Sequence, residues 1–523
     1  MRVSRRLWLS LSLANLLAIQ LWIELFKPGQ TFLIDGQESL GALAAVLLGA
    51  AAVFLAACAV DLLPARLRSH VSAAALIAAM ALVLWAGIRP LILGWLPYFL
   101  GRGQMWLLAV LLVGAGVSTY LAVRHPGATK RGVTAILFVL SPYVLVTMGQ
   151  VLWHVQQVGL GPNSVAHPQM EAPRLAAGLS RLRTVVLIFD EFDYEVAFAD
   201  PAVAQRLVRF SALRQEPGTF FATAAYPPMH STMMSLPAML TGQLVRASAD
   251  RREPQGDLQL TFLNGAEQAY SAAQTVFTDL RSQGRRSLRM NEMILPPMRL
   301  DGPGDADVVV PAAGRSPQGI GHHTRAKLAE WFDMLPFARS RLWDMKVLRW
   351  LGLPHPWERK EAIVAQMASL AADADSDLIF LHVLLPHKPV VFDAGRGGMG
   401  PGAGTSYRDN LIATDMALGR IVDAIKQAGR WDDTHLVVTT DHFYRNKGSE
   451  FGLGDHRIPF LVHVAGDRSA PVTFQIPFNT VLFRALVGAI ARGEIKDTAV
   501  LGAQVRQAAT FGESPLTEYR KGW

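Results

Sequence analysis

Five apolar stretches near the amino terminus constrain the fold of this 523-residue chain more than any other feature. Each reaches the roughly 20 residues that a helix needs to cross a bilayer, and no stretch after Trp153 does. Buried helices of a soluble protein are the alternative, but five such stretches in succession favour a membrane domain over residues 1–153. The stretches are Leu7–Phe26, Leu40–Leu63, Val71–Leu93, Met105–Val123 and Val133–Trp153.

Basic residues between the stretches predict the orientation. Cytoplasmic connections carry an excess of Lys and Arg. Here the amino terminus and the second and fourth connections hold most of them: Arg2, Arg5, Arg6, Arg66, Arg68, Arg124, Lys130 and Arg131. With five spans, everything after His154 then lies on the outer side. We therefore expect a multi-pass protein of the inner (cytoplasmic) membrane whose remaining part is periplasmic or extracellular.

Composition narrows the function classes. The single cysteine, Cys58, lies inside the second apolar stretch, so no disulfide can form within the chain. Much of the net charge of +8 comes from the arginines assigned to the cytoplasm. We therefore expect no nucleic-acid partner, and we expect basic residues of the outer part to attract anionic lipid headgroups or a phosphorylated glycan.

The pattern after the membrane domain predicts a different fold class. Residues 154–183 read as a juxtamembrane linker, and from residue 184 short strand-like runs alternate with amphipathic helical segments. The runs are Val185–Phe189, Thr219–Ala224, Leu378–Val383, Leu436–Thr440 and Phe460–Val464. This alternation predicts an α/β domain with a mostly parallel central sheet over residues 184–523. Ligands in such folds bind at the carboxyl ends of strands, where Asp190, His387 and Asp441 fall.

One segment, Tyr226–Gly242, carries a nucleophile motif. Sulfatases place a modified cysteine in C-x-P-S-R, ten positions before a closing Gly, and here that position is Thr232. With Asp190-Glu191 after the first strand and Asp441-His442 after a later one, the chain resembles the alkaline phosphatase and sulfatase superfamily. Five amino-terminal spans and the pattern T-x-x-S-x-P at Thr232 make it most similar to membrane phosphoethanolamine transferases and to phosphoglycerol transferases like lipoteichoic acid synthase.

The resemblance implies a set of site residues. Thr232 would be the nucleophile, and His387 and His456 would protonate or hold reacting groups. Substrate-binding residues would be His382, His387 and Lys388, although His382 reads equally well as a satisfied core histidine. The implied metal ligands are Asp190, Glu191, Thr232, Asp441, His442 and His456. Oxygen and imidazole ligands suit a divalent ion, with zinc or manganese expected first and magnesium or calcium as alternatives.

The implied function is a metal-dependent, membrane-anchored transferase. It would move a substituted phosphate, of the phosphoethanolamine or phosphoglycerol type, from a phospholipid donor to an envelope lipid or glycan through a phosphothreonine intermediate. A phosphoester hydrolase or sulfatase-like hydrolase in the same compartment is the alternative, and a non-enzymatic binding protein is a third. Residues 244–361 are expected to form helices and loops that cap the site, and Tyr407–Asp415 a helix packed on the sheet.

Overall fold

The computed structural model describes most of the chain. The described residues are 2–26, 36–94, 124–160, 182–250, 258–270, 273–292, 308–311, 319–333, 351–373, 375–393, 395–400, 406–446 and 454–509, with the isolated positions 114, 116, 117, 120 and 448. Most of the fourth predicted span and most of the predicted linker lie outside them.

Helices and strands alternate after an all-helical beginning. The helices are α1 (Arg2–Leu17), α2 (Ile19–Phe26), α3 (Gly36–Asp61), α4 (Ala65–Gly94), α5 (Pro126–Leu140), α6 (Pro142–Val158), α7 (Pro201–Ala204), α8 (Val208–Gln215), α9 (Thr232–Thr241), α10 (Val276–Ser282), α11 (Ile320–Asp333), α12 (Pro356–Asp373), α13 (Tyr407–Gln427), α14 (Phe483–Ala491) and α15 (Thr498–Ala509). The strands are β1 (Arg183–Asp190), β2 (Thr219–Tyr226), β3 (Val245–Asp250), β4 (Leu258–Phe262), β5 (Glu267–Ala269), β6 (Ser287–Asn291), β7 (Val308–Pro311), β8 (Leu378–Pro386), β9 (Phe392–Asp393), β10 (Gly398–Met399), β11 (Thr434–Thr440), β12 (Ile458–His463), β13 (Val472–Phe474) and β14 (Phe478–Asn479). All five predicted strands are present, as β1, β2, β8, β11 and β12.

The chain divides into two compact units that do not follow simple sequence order. Unit 1 comprises residues 1–30, 34–164 and 317–353, and unit 2 comprises 31–33, 165–316 and 354–523. Unit 1 therefore contains the apolar helices and one later segment, α11. Unit 2 contains the sheet.

Apolar helices long enough to cross a membrane are found in unit 1. In the part of the chain that the structure describes there are three, over residues 36–61, 65–85 and 126–157. They overlap the second, third and fifth predicted stretches, whereas the first stretch forms α1 and α2, which are shorter because the helix is interrupted at Ala18. Large apolar side chains such as Leu55, Val139 and Leu152 are exposed on them. Such a surface is typical of contact with lipid, and the helices indicate a membrane anchor.

Helix α11 packs on α3 within unit 1, which differs from the expectation that residues 244–361 only cap the site. Gly41 has no side chain, and an added Cβ there would lie 2.4 Å from a side-chain carbon of α11. Lys327 of α11 lies 2.8 Å from the carboxylate of Glu38. The indole of Trp331 donates to the carbonyl oxygen of Leu17, at the interruption between α1 and α2, over 3.1 Å. The absence of a side chain at Gly41 and these polar contacts explain why α11 belongs to this unit.

The central sheet of unit 2 has the order β13-β2-β12-β11-β1-β8-β6-β7, with β14 also paired to β2. Its pairings are parallel except for the two made by β12, which runs antiparallel to β11 and β2. Residues 244–361 contribute β6 and β7 to this sheet, and β3, β4 and β5 to a small antiparallel one. The prediction of only helices and loops there was wrong, because β6 is a run of five buried residues that includes a charged arginine.

Strand β1 lies at the centre of the sheet and is buried along its whole length. Successive side chains of a strand point to opposite faces. Val186 and Ile188 accordingly join one hydrophobic core and Val185, Leu187 and Phe189 join the other. Burial on both faces explains the continuous apolar run in the sequence, and it places Asp190 where the strand leaves the core.

Candidate active site at the ends of the central strands

Parallel pairing brings the ends of three strands together. In the register of β1, Ile188 lies beside His382 of β8 and Phe189 lies beside Thr440 of β11. Asp190 ends β1, and Asp441 follows β11 directly. The carboxylates that stood far apart in the sequence therefore meet at one edge of the sheet.

A buried group of acceptor atoms forms the floor of the site. One carboxylate oxygen each from Asp190 and Asp441 and one ring nitrogen of His382 lie within 4.8 Å of one another. Both oxygens of Asp190, Oδ2 of Asp441 and Nε2 of His382 are buried without a hydrogen-bond partner among the described residues. Buried polar atoms are normally paired. Oxygen and imidazole ligands converging in this way fit a divalent cation, whose binding would satisfy all four.

The electrostatics point in the same direction. Asp190 is 1% exposed, and burial together with the nearby charges of Asp441 and Glu191 raises its pKa well above the ordinary value. Two buried carboxylates side by side are costly when both are ionised. A bound cation would remove that cost, because it favours the charged form of both groups.

His382 is oriented for such a role by its second ring nitrogen. Its Nδ1 donates to Oδ1 of Asn291 on β6, over 2.6 Å. This bond directs the lone pair of Nε2 toward the carboxylates, which is how metal-binding imidazoles are commonly held. Burial also lowers the pKa of His382 and so favours the neutral form that can bind a cation.

Thr232 begins helix α9 and points into the same site. Its hydroxyl oxygen lies 3.3 Å from Nε2 of His442, and the residue is 5% exposed. The hydroxyl of Ser235 donates to the carbonyl of Met229 over 2.9 Å and accepts from the Met229 amide over 3.0 Å, which closes the loop before the helix. A helix amino terminus favours anions such as phosphate. Ser235, three residues after Thr232, thus fixes the loop that precedes the helix and holds Thr232 at its amino terminus.

His442 connects this hydroxyl to the carboxylates. Its Nδ1 donates to the carbonyl oxygen of Phe443 over 2.9 Å, so Nε2 is left as an acceptor. That nitrogen lies 3.5 Å from Asp190 Oδ1 and 3.6 Å from Asp441 Oδ2. The structure thus brings five of the predicted residues together: Asp190, Thr232, His382, Asp441 and His442.

The other predicted residues lie around this group in different arrangements. Glu191 accepts a hydrogen bond from Nε of Arg445 over 2.6 Å. His387 is half-buried, its amide donates to the Asp190 carbonyl over 3.2 Å, and its ring pairs with the carbonyl of Lys388, which is itself exposed. The role of Glu191 as a metal ligand and the roles of His387 and Lys388 as substrate contacts remain predictions.

His456, predicted as a catalytic residue and metal ligand, stacks on a neighbour of the site. Its ring lies 4.3 Å from the ring of Phe443, with 22° between the planes. Phe443 directly follows His442, so His456 packs beside the segment that carries a site residue. Whether it contacts a metal or substrate also remains a prediction.

A buried ion pair behind His382 was missed by the sequence reasoning. Lys360 of α12 donates to Glu292 over 2.5 Å and to the Leu384 carbonyl over 2.9 Å, and the Leu384 amide donates to the other oxygen of Glu292. The amide of Glu292 in turn donates to the His382 carbonyl over 2.9 Å. Asn291 ends β6 and Glu292 follows it directly, so their strand-end position could be a signal only once that strand was recognised.

Helix α13 contributes two further residues that the sequence reasoning treated as packing only. Tyr407 donates to the Glu191 carbonyl over 2.5 Å and accepts from the Asp193 amide over 2.9 Å. The side-chain amide of Asn410 donates to three carbonyls of the loop after β8, at 2.9, 3.2 and 3.1 Å. The helix does pack on the sheet, and it also fixes both loops that border the site.

Comparison with known proteins agrees with the resemblance predicted from the motifs. Residues 355–482 match the family model described as Sulfatase, which confirms the likeness to the alkaline phosphatase and sulfatase superfamily for that part of the chain. An extracellular sulfatase SULF-1 homolog of Drosophila melanogaster is 32% identical over 85 residues, 15% of this chain. The match covers 8% of that relative's length.

Solved structures of the same superfamily are similar at low identity. The lipoteichoic acid synthase LtaP of Listeria monocytogenes matches 60% of this chain and 72% of its own, with 12% identity and a TM-score of 0.39. An alkaline phosphatase superfamily protein of Vibrio parahaemolyticus matches 60% of this chain and 67% of its own, with 17% identity and a TM-score of 0.36. The phosphonate monoester hydrolase of Agrobacterium radiobacter matches 60% and 74%, with 13% identity and a TM-score of 0.38.

Proposed function

We propose that this protein is a membrane-anchored transferase that moves a substituted phosphate group from a phospholipid donor to an envelope lipid or glycan. The observation that carries the proposal is the position of the Thr232 hydroxyl, 3.3 Å from His442 Nε2 at a helix amino terminus. Beside it lie Asp190, Asp441 and His382, whose buried acceptor atoms fit a divalent cation. Apolar helices in unit 1 would keep the enzyme at its lipid substrates.

Thr232 would act as the nucleophile. Its Oγ1 attacks the donor phosphorus, the bond from phosphorus to the donor alkoxide breaks, and a phosphothreonine diester forms. The hydroxyl proton passes to a neighbouring basic group as the bond to phosphorus forms, and the donor alkoxide takes up a proton as it leaves. Nε2 of His442 lies 3.3 Å from Oγ1, but it can accept that proton only when it does not bind the cation. In the second step an acceptor hydroxyl attacks the same phosphorus and restores Thr232.

The carboxylates and imidazoles would hold the cation. Asp190, Asp441, His442 and His382 would bind it, with Glu191 and His456 as further predicted ligands; the convergence of Asp190, Asp441 and His382 supports this assignment. A divalent ion bound there supplies Lewis-acid activation of the hydroxyl and stabilises charge on the phosphoryl oxygens. Helix α9 adds amide donors and a favourable dipole at Thr232 for the same oxygens.

A phosphoester hydrolase is the second candidate, and the match to the Sulfatase model favours it. Hydrolysis would use the same first step, with water attacking in the second. A sulfatase that depends on a modified cysteine is disfavoured, since Thr232 occupies that position and the one cysteine of the chain is Cys58.

The covalent step is testable with the full-length protein in liposomes that contain a labelled phospholipid. Thr232→Ala should abolish transfer and the labelled protein intermediate, which mass spectrometry should map to Thr232 in the wild type. Ser231→Ala is the matched control, because it removes a neighbouring hydroxyl. Near-normal transfer by Thr232→Ala, or a label on Ser231, would contradict the assignment.

The cation and the acceptor need separate measurements. Asp441→Asn keeps the side-chain volume but removes a charge, so bound divalent metal should fall in the purified protein, and unchanged metal content would show that the site is misplaced. Lipid mass spectrometry of cells with and without the gene should reveal a lipid or glycan that gains the phosphate group. Release of free headgroup phosphate with no such product would identify a hydrolase.

The same proposal places the catalytic unit outside the cytoplasm. The arginine distribution predicts that residues after His154 face outward. A reporter that is active only outside the cytoplasm should be active when fused after Trp523 and silent when fused near Arg68. The reverse pattern would remove the argument for envelope substrates and leave a soluble phosphoester as the substrate class.

A further inference from the structure

Arg445 is held beside the site by a closed ring of contacts. Its Nε donates to Glu191 Oε1 over 2.6 Å. The hydroxyl of Tyr407 donates to the Glu191 carbonyl over 2.5 Å, and the Tyr407 ring stacks on Tyr444 at 3.9 Å with 10° between the planes. Since Tyr444 precedes Arg445 in the chain, both ends of the arginine are fixed.

This arrangement leaves most of the guanidinium unused. Among the described residues Glu191 is the acceptor recorded for Arg445, and it takes only Nε. A guanidinium carries five N–H donors in a planar fork, so both η nitrogens keep their hydrogens for another acceptor. The Glu191 side chain is 6% exposed and that of Arg445 is 45% exposed. The pair therefore has a buried anchor and an accessible end.

The accessible end lies close to the reacting groups. Glu191, which anchors Arg445, directly follows Asp190, and its amide donates to Asp441 Oδ1 over 3.4 Å. The guanidinium is therefore anchored to a residue that contacts the predicted metal ligands.

The net charge of the predicted metal site indicates a role for the Arg445 guanidinium. Asp190 and Asp441 would together neutralise a divalent cation, so the metal site alone carries no net charge to attract a phosphate. A fork of N–H donors matches phosphate oxygens in pairs. The sequence Asp441-His-Phe-Tyr-Arg445 places such a fork four residues beyond a predicted metal ligand.

We propose that Arg445 binds a phosphoryl oxygen of the substrate through its η nitrogens, and that Glu191 and Tyr407 position it for this contact. The inference rests on the proposed function, since it takes the ligand at Thr232 to be a phosphate ester. It gives Glu191 a role in orienting the guanidinium, which replaces its predicted role as a metal ligand.

The test measures binding of inorganic phosphate to the full-length, detergent-purified, manganese-loaded protein by calorimetry, with bound metal determined in parallel. Arg445→Met keeps much of the side-chain length but removes every donor, and should weaken phosphate binding by roughly 10- to 100-fold, the range for a charge-assisted hydrogen bond. Its metal content should equal that of the wild type, which also shows that the variant is folded. Arg445→Lys should recover only part of the affinity.

Two further variants complete the design. Glu191→Gln should weaken phosphate binding with metal content unchanged. Arg468→Met is the matched control, because this arginine is 71% exposed and pairs with Asp432, at the opposite end of β11 from the site. Its phosphate affinity should equal that of the wild type.

The outcomes separate this inference from the transferase proposal. Phosphate affinity within about threefold of the wild type in Arg445→Met would overturn the role of Arg445, as would loss of metal in that variant. Loss of metal in Glu191→Gln would overturn the positioning role of Glu191. Weakened phosphate binding without any lipid transfer would support Arg445 as the anion-binding residue while removing the transferase proposal.

Discussion

Replacing Lys360 by methionine should destabilise unit 2 far more than the loss of one ordinary ion pair. Lys360 and Glu292 have side chains that are 5% and 7% exposed. Burial alone would raise the pKa of Glu292, but the charge and hydrogen bond of Lys360 hold it below the ordinary value. In Lys360→Met the carboxylate keeps its bond from the Leu384 amide but loses the ion pair with Lys360.

The magnitude follows from what the substitution leaves behind. Breaking a buried pair by removing one partner typically costs about 3–5 kcal/mol, because an uncompensated charge stays buried. The carbonyl of Leu384 also loses a donor, which adds to this cost. If Glu292→Gln is combined with Lys360→Met, neither position carries a buried charge. We therefore expect the double variant to lose about 1–3 kcal/mol less stability than the sum of the two single variants.

Hydrogen exchange followed by mass spectrometry measures this loss of stability in the full-length protein. Peptides of β8 should exchange faster in Lys360→Met, since both groups of the pair bond to its backbone. The matched control is Lys426→Met, which breaks a lysine–glutamate pair with Glu216 at 3.0 Å whose side chains are 39% and 31% exposed. An exposed pair is worth about 0–1 kcal/mol, so this variant should resemble the wild type.

Two results would refute the reasoning. If β8 exchanges hydrogen as slowly in Lys360→Met as in the control variant, the buried pair does not stabilise unit 2. If the double variant costs the full sum of the two single ones, the residues do not act as a pair.

Three further predictions concern other parts of the molecule. Burial lowers the pKa of His435 and of His463 to about 4. Below about pH 6.5 these imidazoles therefore bind protons in the unfolded chain but not in the folded chain. Their contribution to the free energy of unfolding is full above that pH and should fall by about 2 kcal/mol per imidazole between pH 7 and 5. Thermal melts at both values test this, and His463→Phe should melt with a smaller pH dependence. Gly41→Ala should cost about 1–3 kcal/mol and speed tryptic cleavage within α11, whereas Gly127→Ala, with no atom within 4 Å of its added Cβ, should not; equal cleavage would contradict this. Asn410→Ala should cost about 1–3 kcal/mol and raise hydrogen exchange in the loop after β8, and unchanged exchange there would count against it.

The strands that form the middle of the sheet were predictable because their burial is visible in the sequence. Val185–Phe189 is apolar on both faces, as a central parallel strand must be. Strand β6 was missed because only two of its five residues, Leu288 and Met290, are apolar, and Arg289 stands between them. In the structure this arginine is buried and its guanidinium lies 5.7 Å from the centre of the Phe277 ring, a contact that no local pattern announces.

The candidate site was predictable only where position along a strand decides it. Asp190 and Asp441 end two strands, so a parallel sheet puts them at one edge. The order of strands in that sheet is a property of the whole fold, and it is this order that brings Asn291 beside His382 and Lys360 behind it. The pairing of Glu191 with Arg445 was likewise hidden, because Glu191 was read from a short motif as a metal ligand and Arg445 belonged to no motif.

The assignment of α11 to unit 1 affects how a soluble form of this protein must be made. A protein shortened to begin after residue 164 would keep α11 but lose α3, and the face that carries His323 and Trp331 would be left uncovered. An uncovered apolar face promotes self-association. Replacing residues 317–353 by a flexible Gly/Ser linker should therefore yield a monodisperse secreted fragment, whereas simple removal of the amino-terminal helices should yield aggregates.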